Sequence, residues 1–203
     1  RPAQTDATLD LSALSGVTLY EPTELVLSAR AATPVAEIEA LVEAAGQALV
    51  FEPMDLGPLL GQPPGAGTLG GVVATNLSGP RRLKAGAARD HVLGFTAVSG
   101  RGETFKAGGR VVKNVTGYDL PKLLAGSFGT LAAMTDITIK TLPRPQTEAS
   151  VLVLGLAPEQ AVAAMAAAMG SPFEVSGAAH LPAAVAAAAE VAALPAGVAV
   201  TAL

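Results

Sequence analysis

The clearest apolar pattern in this chain is helical. Val35, Ile38, Leu41, Val42 and Ala45 recur at three- and four-residue steps, Pro34 suits a first helical position, and Gly46 stops the run. Thr33 is the expected N-cap, with a hydroxyl to offer the open amides of the first turn. The stretch before it, "LVLSAR" at 25–30, reads as a strand, and "ALVF" at 48–51 reads as another. "TDITIKTL" alternates, with Ile137 and Ile139 on one face and Asp136, Thr138 and Lys140 on the other, which predicts a half-buried strand. "VLGFTAVSGRGETFKAG" predicts a hairpin turning at Gly100–Arg101–Gly102. "TLGGVVATNLSG" predicts a short helix of small residues with glycines at both ends. Residues 52–67 form a Pro- and Gly-rich loop, of a length that more often serves a site than a scaffold.

"PRPQ", Pro143 to Gln146, reads as a domain boundary. Beyond it the composition shifts to alanine and the order of elements is β-α-β-α-β: "SVLVLG", a helix from Pro158 to Met169, a strand near "FEVSGAAH", a helix from Pro182, and "GVAVTAL". This order is read as part of an α+β module that breaks off before completion, which makes the fold class α+β. No internal repeat is present. The chain opens "RPAQ" without an initiator methionine, which leads to the expectation that these residues are a fragment.

Composition narrows the chemistry. Half of the 203 residues are apolar and 15% are charged, so a sizeable core is affordable and disorder is not expected. The net charge is −4, and no basic face is interleaved with aromatics, which argues against nucleic acid as a partner. One basic cluster, Arg81, Arg82, Lys84 and Arg89, sits in a glycine-rich stretch where a phosphate or a partner could lie. With no cysteine, disulfides, thiolate catalysis and cysteine-held zinc or iron–sulfur centres are excluded from this stretch. No apolar run reaches the roughly 18 residues of a membrane helix, and there is no signal peptide, so a cytoplasmic location is expected.

Three glycine-rich segments remain: "PPGAGTLGGVVATNLSG", "GGRVVKNVTGYD" and "AGSFGT". Each leads into or out of regular structure, and clustered amides at such places make a nest for anions or for ring heteroatoms. Neither the dinucleotide fingerprint G-x-G-x-x-G nor the P-loop is matched in its strand–turn–helix setting. An isolated G-x-x-G such as that of "AGSFGT" is more often a helix stop and a tight turn than a ligand site.

The two long runs "GTLGGVVATNLSGPRRLKAGAARDHVLGFTAVSGRGE" and "GGRVVKNVTGYDLPKLLAGSFGTLAAMTDITIKTLP" resemble the second half of the FAD-binding domain of the vanillyl-alcohol-oxidase (PCMH) type. Within that family they are most similar to the FAD-binding E subunits of bacterial glycolate oxidases. The resemblance covers Asp10 to Pro145, and the alanine-rich tail resembles the start of the family's α+β cap domain. It implies an FAD-binding domain over 1–145 and a partial cap over 146–203. Thr68, Gly70, Gly71, Ala74 and Ser78 match the segment along the flavin's pyrophosphate and ribityl chain, with Asn76 at the polar position of that helix. Gly126, Gly129, Thr130 and Leu131 match the G-S-x-G-T-L turn whose backbone faces the cofactor. Phe128 stands where many relatives have Glu. Lys113, Asn114, Gly117, Tyr118 and Asp119 match a run placed at the flavin or at a subunit interface, although Asp119 alone reads more simply as a helix N-cap.

The resemblance further implies oxidation of a small 2-hydroxy acid, glycolate, within a complex that contains a catalytic flavoprotein subunit and an iron–sulfur subunit, with membrane association only through those partners. It implies noncovalent FAD. The family's pyrophosphate loop matches a position just upstream of Arg1, so these residues alone are expected to be flavin-free. The acid–base groups that such chemistry needs are not apparent: His91 and His180 stand alone, and Ser99, Ser127 and Asp119 form no nucleophile–base set. No metal-ligand spacing occurs. A self-sufficient 2-hydroxy-acid dehydrogenase of the lactate type, and a non-catalytic subunit that has lost its flavin, are the alternatives.

Overall fold

The computed structural model describes residues 6–110, 117–189, 191, 194, 195 and 197–203. They form two compact units. The first comprises the residues up to Ser78 together with Ala87–Arg144; the second comprises Gly79–Gly86 and Pro145–Leu203.

In chain order the elements are β1 (Val17–Glu21), β2 (Val26–Arg30), α1 (Val35–Ala44), β3 (Gln47–Ala48), α2 (Leu69–Thr75), α3 (Arg82–Ala85), α4 (Ala88–His91), β4 (Val92–Ser99), β5 (Thr104–Gly108), α5 (Leu120–Leu124), β6 (Ala132–Lys140), β7 (Leu142–Pro143), β8 (Leu152–Leu154), α6 (Pro158–Met169), β9 (Ala179–Leu181), α7 (Ala183–Ala188) and β10 (Val200–Ala202). Mixed helix and sheet is thus confirmed. The first unit is built on an antiparallel sheet in the order β1-β2-β6-β4-β5. In β6 the alternation read from sequence holds: Ile137 and Ile139 are fully buried, whereas Asp136, Thr138 and Lys140 are half-buried. On that second face Ser28 and its register partner Thr138 share a 2.8 Å hydroxyl–hydroxyl hydrogen bond. The core joins Leu27, Ile137 and Ile139 of the sheet to Ile38 and Val42 of α1, Leu69 and Val73 of α2, and Phe51.

Three local readings change. Thr33 does not cap α1; the helix begins after Pro34. The Thr33 hydroxyl is buried and donates toward Arg30 O at 2.7 Å and Gly16 O at 3.2 Å while accepting from Gly16 N at 2.9 Å, so it locks the β2–α1 corner to the chain before β1. The strand expected at 48–51 shortens to β3, paired with β7, and Leu49 and Phe51 are buried outside it. Within β3, Gln47 is buried with its polar atoms partnered: it donates to Pro22 O at 2.7 Å and accepts from Tyr20 at 3.0 Å and Thr141 at 2.6 Å. Finally, β1 is an additional strand at the sheet's edge.

The long loop closes on one carboxylate. Asp55 accepts from Gly57 N at 3.0 Å and Gly65 N at 2.7 Å. These bonds, that from Gly65 first, hold its carboxyl below the ordinary carboxylate range. The cleft beside it, lined by Val35, Glu39, Met54 and Gly67, holds about 120 Å³, less than the ~300 Å³ lower bound of ordinary ligand pockets.

In the second unit β8 and β9 flank β10, both antiparallel to it. α6 and α7 pack against β9, and Ala161 and Ala186 are their buried contacts. Small side chains bring the helices close to the sheet, which is how an alanine-rich segment builds a core.

Candidate functional site

The first and third glycine segments meet in the first unit. Gly126 N donates to Val73 O at 3.0 Å and Phe128 N to Ala74 O at 2.8 Å, so the turn after α5 is pinned to carbonyls at the end of α2. Val73 O also accepts from the C-cap Asn76 N at 3.2 Å, and the docked turn gives Ala74 O the partner that the end of a helix leaves it without. Asn76 ends α2 in the left-handed conformation, and a Cβ on Gly126 would lie 3.3 Å from its Cβ.

The glycines divide by what lies next to them. A Cβ on Gly70 would sit 2.8 Å from Ala31 O and 2.9 Å from Ala31 Cβ, so its bareness lets α2 press against the end of β2. Gly94 and Gly108 are register partners, and a Cβ on Gly108 would sit 2.1 Å from Leu93 O. Those glycines answer to protein. Gly117, Gly126 and Gly129 have φ of +80°, +85° and +73° and answer to their own backbone. Gly71 differs from both sets: its φ is helical, and among the described residues a Cβ there would meet only the Thr68 hydroxyl, at 3.3 Å. It is exposed, and Ala74 lies three residues on, along the same face of α2.

The donors are not where clustered amides at a helix start would put them. Leu69 N donates to Thr33 O, Gly70 N to Ala31 O, and Gly71 N to the capping Thr68 hydroxyl at 3.2 Å. The start of α2 is therefore closed internally. The side chains of Asn76 and Ser78 also turn inward, accepting from Arg89 N at 2.8 Å and Ala88 N at 2.9 Å, and so hold the start of α4. The turn carries open donors of its own. Gly129 N has no partner among the described residues, and Ser127 Oγ is buried with none. Thr130 is tied locally, its hydroxyl donating to Ser127 O at 2.6 Å, and Leu131 is exposed. An unpartnered donor and an orphaned hydroxyl in one turn, beside a helix face with open space at Gly71, fit a polar ligand laid along that face.

The second glycine segment is described only in part: Lys113 and Asn114 lie outside the described residues. Asp119 accepts from Lys122 N at 3.4 Å and caps α5, as a structural reading of that residue expects. Tyr118 before it is exposed. Lys122 anchors α5 to the α4–β4 junction, its ammonium donating to Arg89 O at 2.7 Å and Val92 O at 3.0 Å. Burial lowers its pKa. The short α5 thus carries a fixed tie to the sheet and leads straight into the candidate turn.

Both histidines have structural surroundings of their own. His91 is fully buried with its ring tilted against Phe51 at 5.1 Å, and His180 shares a 2.9 Å hydrogen bond with its cross-strand partner Thr201. Among the described residues no cluster of His, Asp and Glu could hold a metal ion. Of the basic cluster, Arg81 is ion-paired with Glu148.

The architecture recurs in a solved alkyldihydroxyacetonephosphate synthase, with a TM-score of 0.66 at 23% identity, over 82% of this chain and 28% of that one. That likeness defines the fold. Residues 2–108 match the FAD binding domain family, and this chain belongs to that family. Among its relatives, the glycolate oxidase subunit GlcE of Escherichia coli K12 is 42% identical over 173 residues, which is 85% of this chain and 47% of the relative. A D-lactate dehydrogenase of Archaeoglobus fulgidus is 47% identical over 83 residues, 40% of this chain and 19% of the relative. The chain thus spans about half the length of the first of these and a fifth of the second. No helix among the described residues is long and apolar enough to cross a membrane.

Proposed function

We propose that this chain is the FAD-binding subunit of a glycolate (2-hydroxy acid) oxidase complex that converts glycolate to glyoxylate. The observation that carries the reading is the bracket formed by α2 and the turn 126–131, where an open Gly71 face lies in a segment joined to an unpartnered Gly129 amide and an orphaned Ser127 hydroxyl. The similarity to a glycolate oxidase subunit along most of this chain supports the substrate class. Residues 1–145 are read as the FAD-binding domain and 146–203 as cap-domain residues.

The binding roles in this reading are these. Gly71 and Ala74 present a low face along which the cofactor can lie. Gly129 N–H and Ser127 Oγ–H offer hydrogen bonds to its polar edge. Thr68, Asn76 and Ser78 shape the segment without touching the ligand, because their side chains cap α2 and hold α4. Gly70 and Gly126 seat α2 and the turn, Thr130 ties the turn to itself, and Leu131 adds apolar cover. Asn114, Gly117 and Tyr118 complete the cofactor side of the reading. When bound, FAD supplies the two-electron acceptor that oxidation of an alcohol requires.

No described residue at the turn is a base for the substrate hydroxyl. In this reading acid–base chemistry belongs to a catalytic flavoprotein partner, and electrons leave through an iron–sulfur subunit, in a cytoplasmic complex that reaches a membrane only through its partners. Glycolate-dependent reduction of a dye by the intact protein, alone and reassembled with its partners, tests this. The reading expects turnover only in the assembly; equal turnover by the single chain would establish a self-sufficient dehydrogenase instead.

The flavin should be held noncovalently, since this sequence has no cysteine, the His91 ring is buried against Phe51 and the His180 ring is bonded to Thr201. Acid precipitation of the intact protein should leave all flavin in the supernatant; flavin in the pellet would overturn this.

A further inference from the structure

Phe128 occupies a conformation that its side chain makes costly. Its φ is +54°, in the left-handed region where a Cβ crowds the following carbonyl. Its ring is also 71% exposed, so internal packing does not offset that strain. Among the described residues Leu25, Glu52, Asn76 and Glu174 share the left-handed conformation. Asn76 is a helix C-cap of a kind that tolerates it, Leu25 is half-buried at the start of β2, and the glutamates are polar. Phe128 alone combines left-handed backbone with an exposed apolar ring.

The strain is imposed from outside the residue. Phe128 N is bonded to Ala74 O, Gly126 N to Val73 O, and Thr130 N to Ser127 O at 3.0 Å, so the turn cannot relax by rotating this one residue. Backbone strain that the surroundings over-determine collects at ligand sites. Here it coincides with the orphaned Ser127 hydroxyl one residue before and the unpartnered Gly129 amide one residue after. A glycine would suit the backbone better; what it would lose is the ring.

We infer that Phe128 is a ligand contact, its ring packing against a planar aromatic ring of the flavin dinucleotide. The inference rests on the proposed FAD-binding role of this turn. Offset or edge contacts between aromatic rings add attraction beyond the buried area, and removal of both faces from water adds more. The ring would set affinity and the polarity around the cofactor while leaving the polar edge to Gly129 and Ser127.

The test separates ligand contact from structure because the two predict opposite signs. In the intact protein Phe128→Gly should keep or raise the melting temperature, the left-handed strain being relieved, yet weaken FAD by about five- to tenfold. Phe128→Leu, which keeps the strain and the apolarity, should also weaken FAD. Phe128→Trp reports which ring is touched: strong quenching of bound-flavin fluorescence places the isoalloxazine there, whereas weakened ADP competition in Phe128→Gly places the adenine. Either result supports the contact. Unchanged FAD affinity in Phe128→Gly, with neither quenching nor a change in ADP competition, overturns it while leaving the FAD-binding reading intact. A wild-type protein that binds no FAD would overturn both.

Discussion

Gly108→Ala should destabilise the first unit by about 3 kcal/mol, the sum of a left-handed penalty for a residue bearing Cβ and the cost of overpacking. Gly108 has φ +71°, and an added Cβ would lie 2.1 Å from Leu93 O and 2.8 Å from Gly94 Cα. Both obstacles are backbone, so no change of rotamer can relieve them. The end of β5 would have to part from β4 at the position where the two glycines are register partners. For a chain of this length the loss should appear as a fall in melting temperature of roughly 10 °C, measured by calorimetry. A fall of under about 3 °C would show that the strand ends can separate at little cost.

Gly71→Val should do the reverse. Among the described residues a valine Cβ would meet only the Thr68 hydroxyl, 3.3 Å away. Replacing a helical glycine also recovers backbone entropy that offsets valine's own helix penalty, so stability should stay within about 1 kcal/mol of wild type. The added isopropyl group stands on the exposed face that the cofactor is proposed to follow. FAD affinity should fall by about a hundredfold or more, equivalent to some 3 kcal/mol. Flavin titration alongside a melting curve checks both halves. A folded variant with wild-type affinity would remove Gly71 from the binding face. The neighbouring Gly70→Val sharpens the contrast, since its Cβ would press on Ala31 and unfold before it bound or failed to bind.

What could be read in advance followed from local periodicity. α1 and β6 have clean periods of 3.6 and 2, and each places its apolar residues where the core is. The β4–β5 hairpin announced itself through Ser99–Gly102, where Gly102 N donates to Ser99 O at 2.9 Å. β1 was harder, because an edge strand with a half-exposed apolar pattern carries little signal. Thr33 looked like a cap because its decisive partner, Gly16, lies 17 residues away.

The same distinction governs the site. Sequence pointed to three glycine-rich segments, yet whether a glycine answers to protein or to ligand depends on neighbours far along the chain. Gly70 faces Ala31, and the bonds of Asn76 and Ser78 reach thirteen and ten residues ahead to Arg89 and Ala88. In the proposed reading those partners give Gly70, Asn76 and Ser78, among others, supporting roles, and the start of α2, its amides bonded internally, cedes the polar contacts to the turn at 127–129. Phe128 stood out in sequence as a replacement for Glu; its left-handed backbone and exposed ring became visible only in three dimensions.

The account turns on FAD lying along α2 and the turn 126–131, and amide hydrogen exchange of the intact protein with and without FAD reads that face directly. Gly129 N–H, which has no protein partner among the described residues, should exchange quickly without the cofactor and become strongly protected with it. Amides at the start of α2, already bonded to Thr33, Ala31 and Thr68, should change little. Saturating FAD that left residues 126–131 exchanging at their unliganded rate, while protecting another face, would contradict the account.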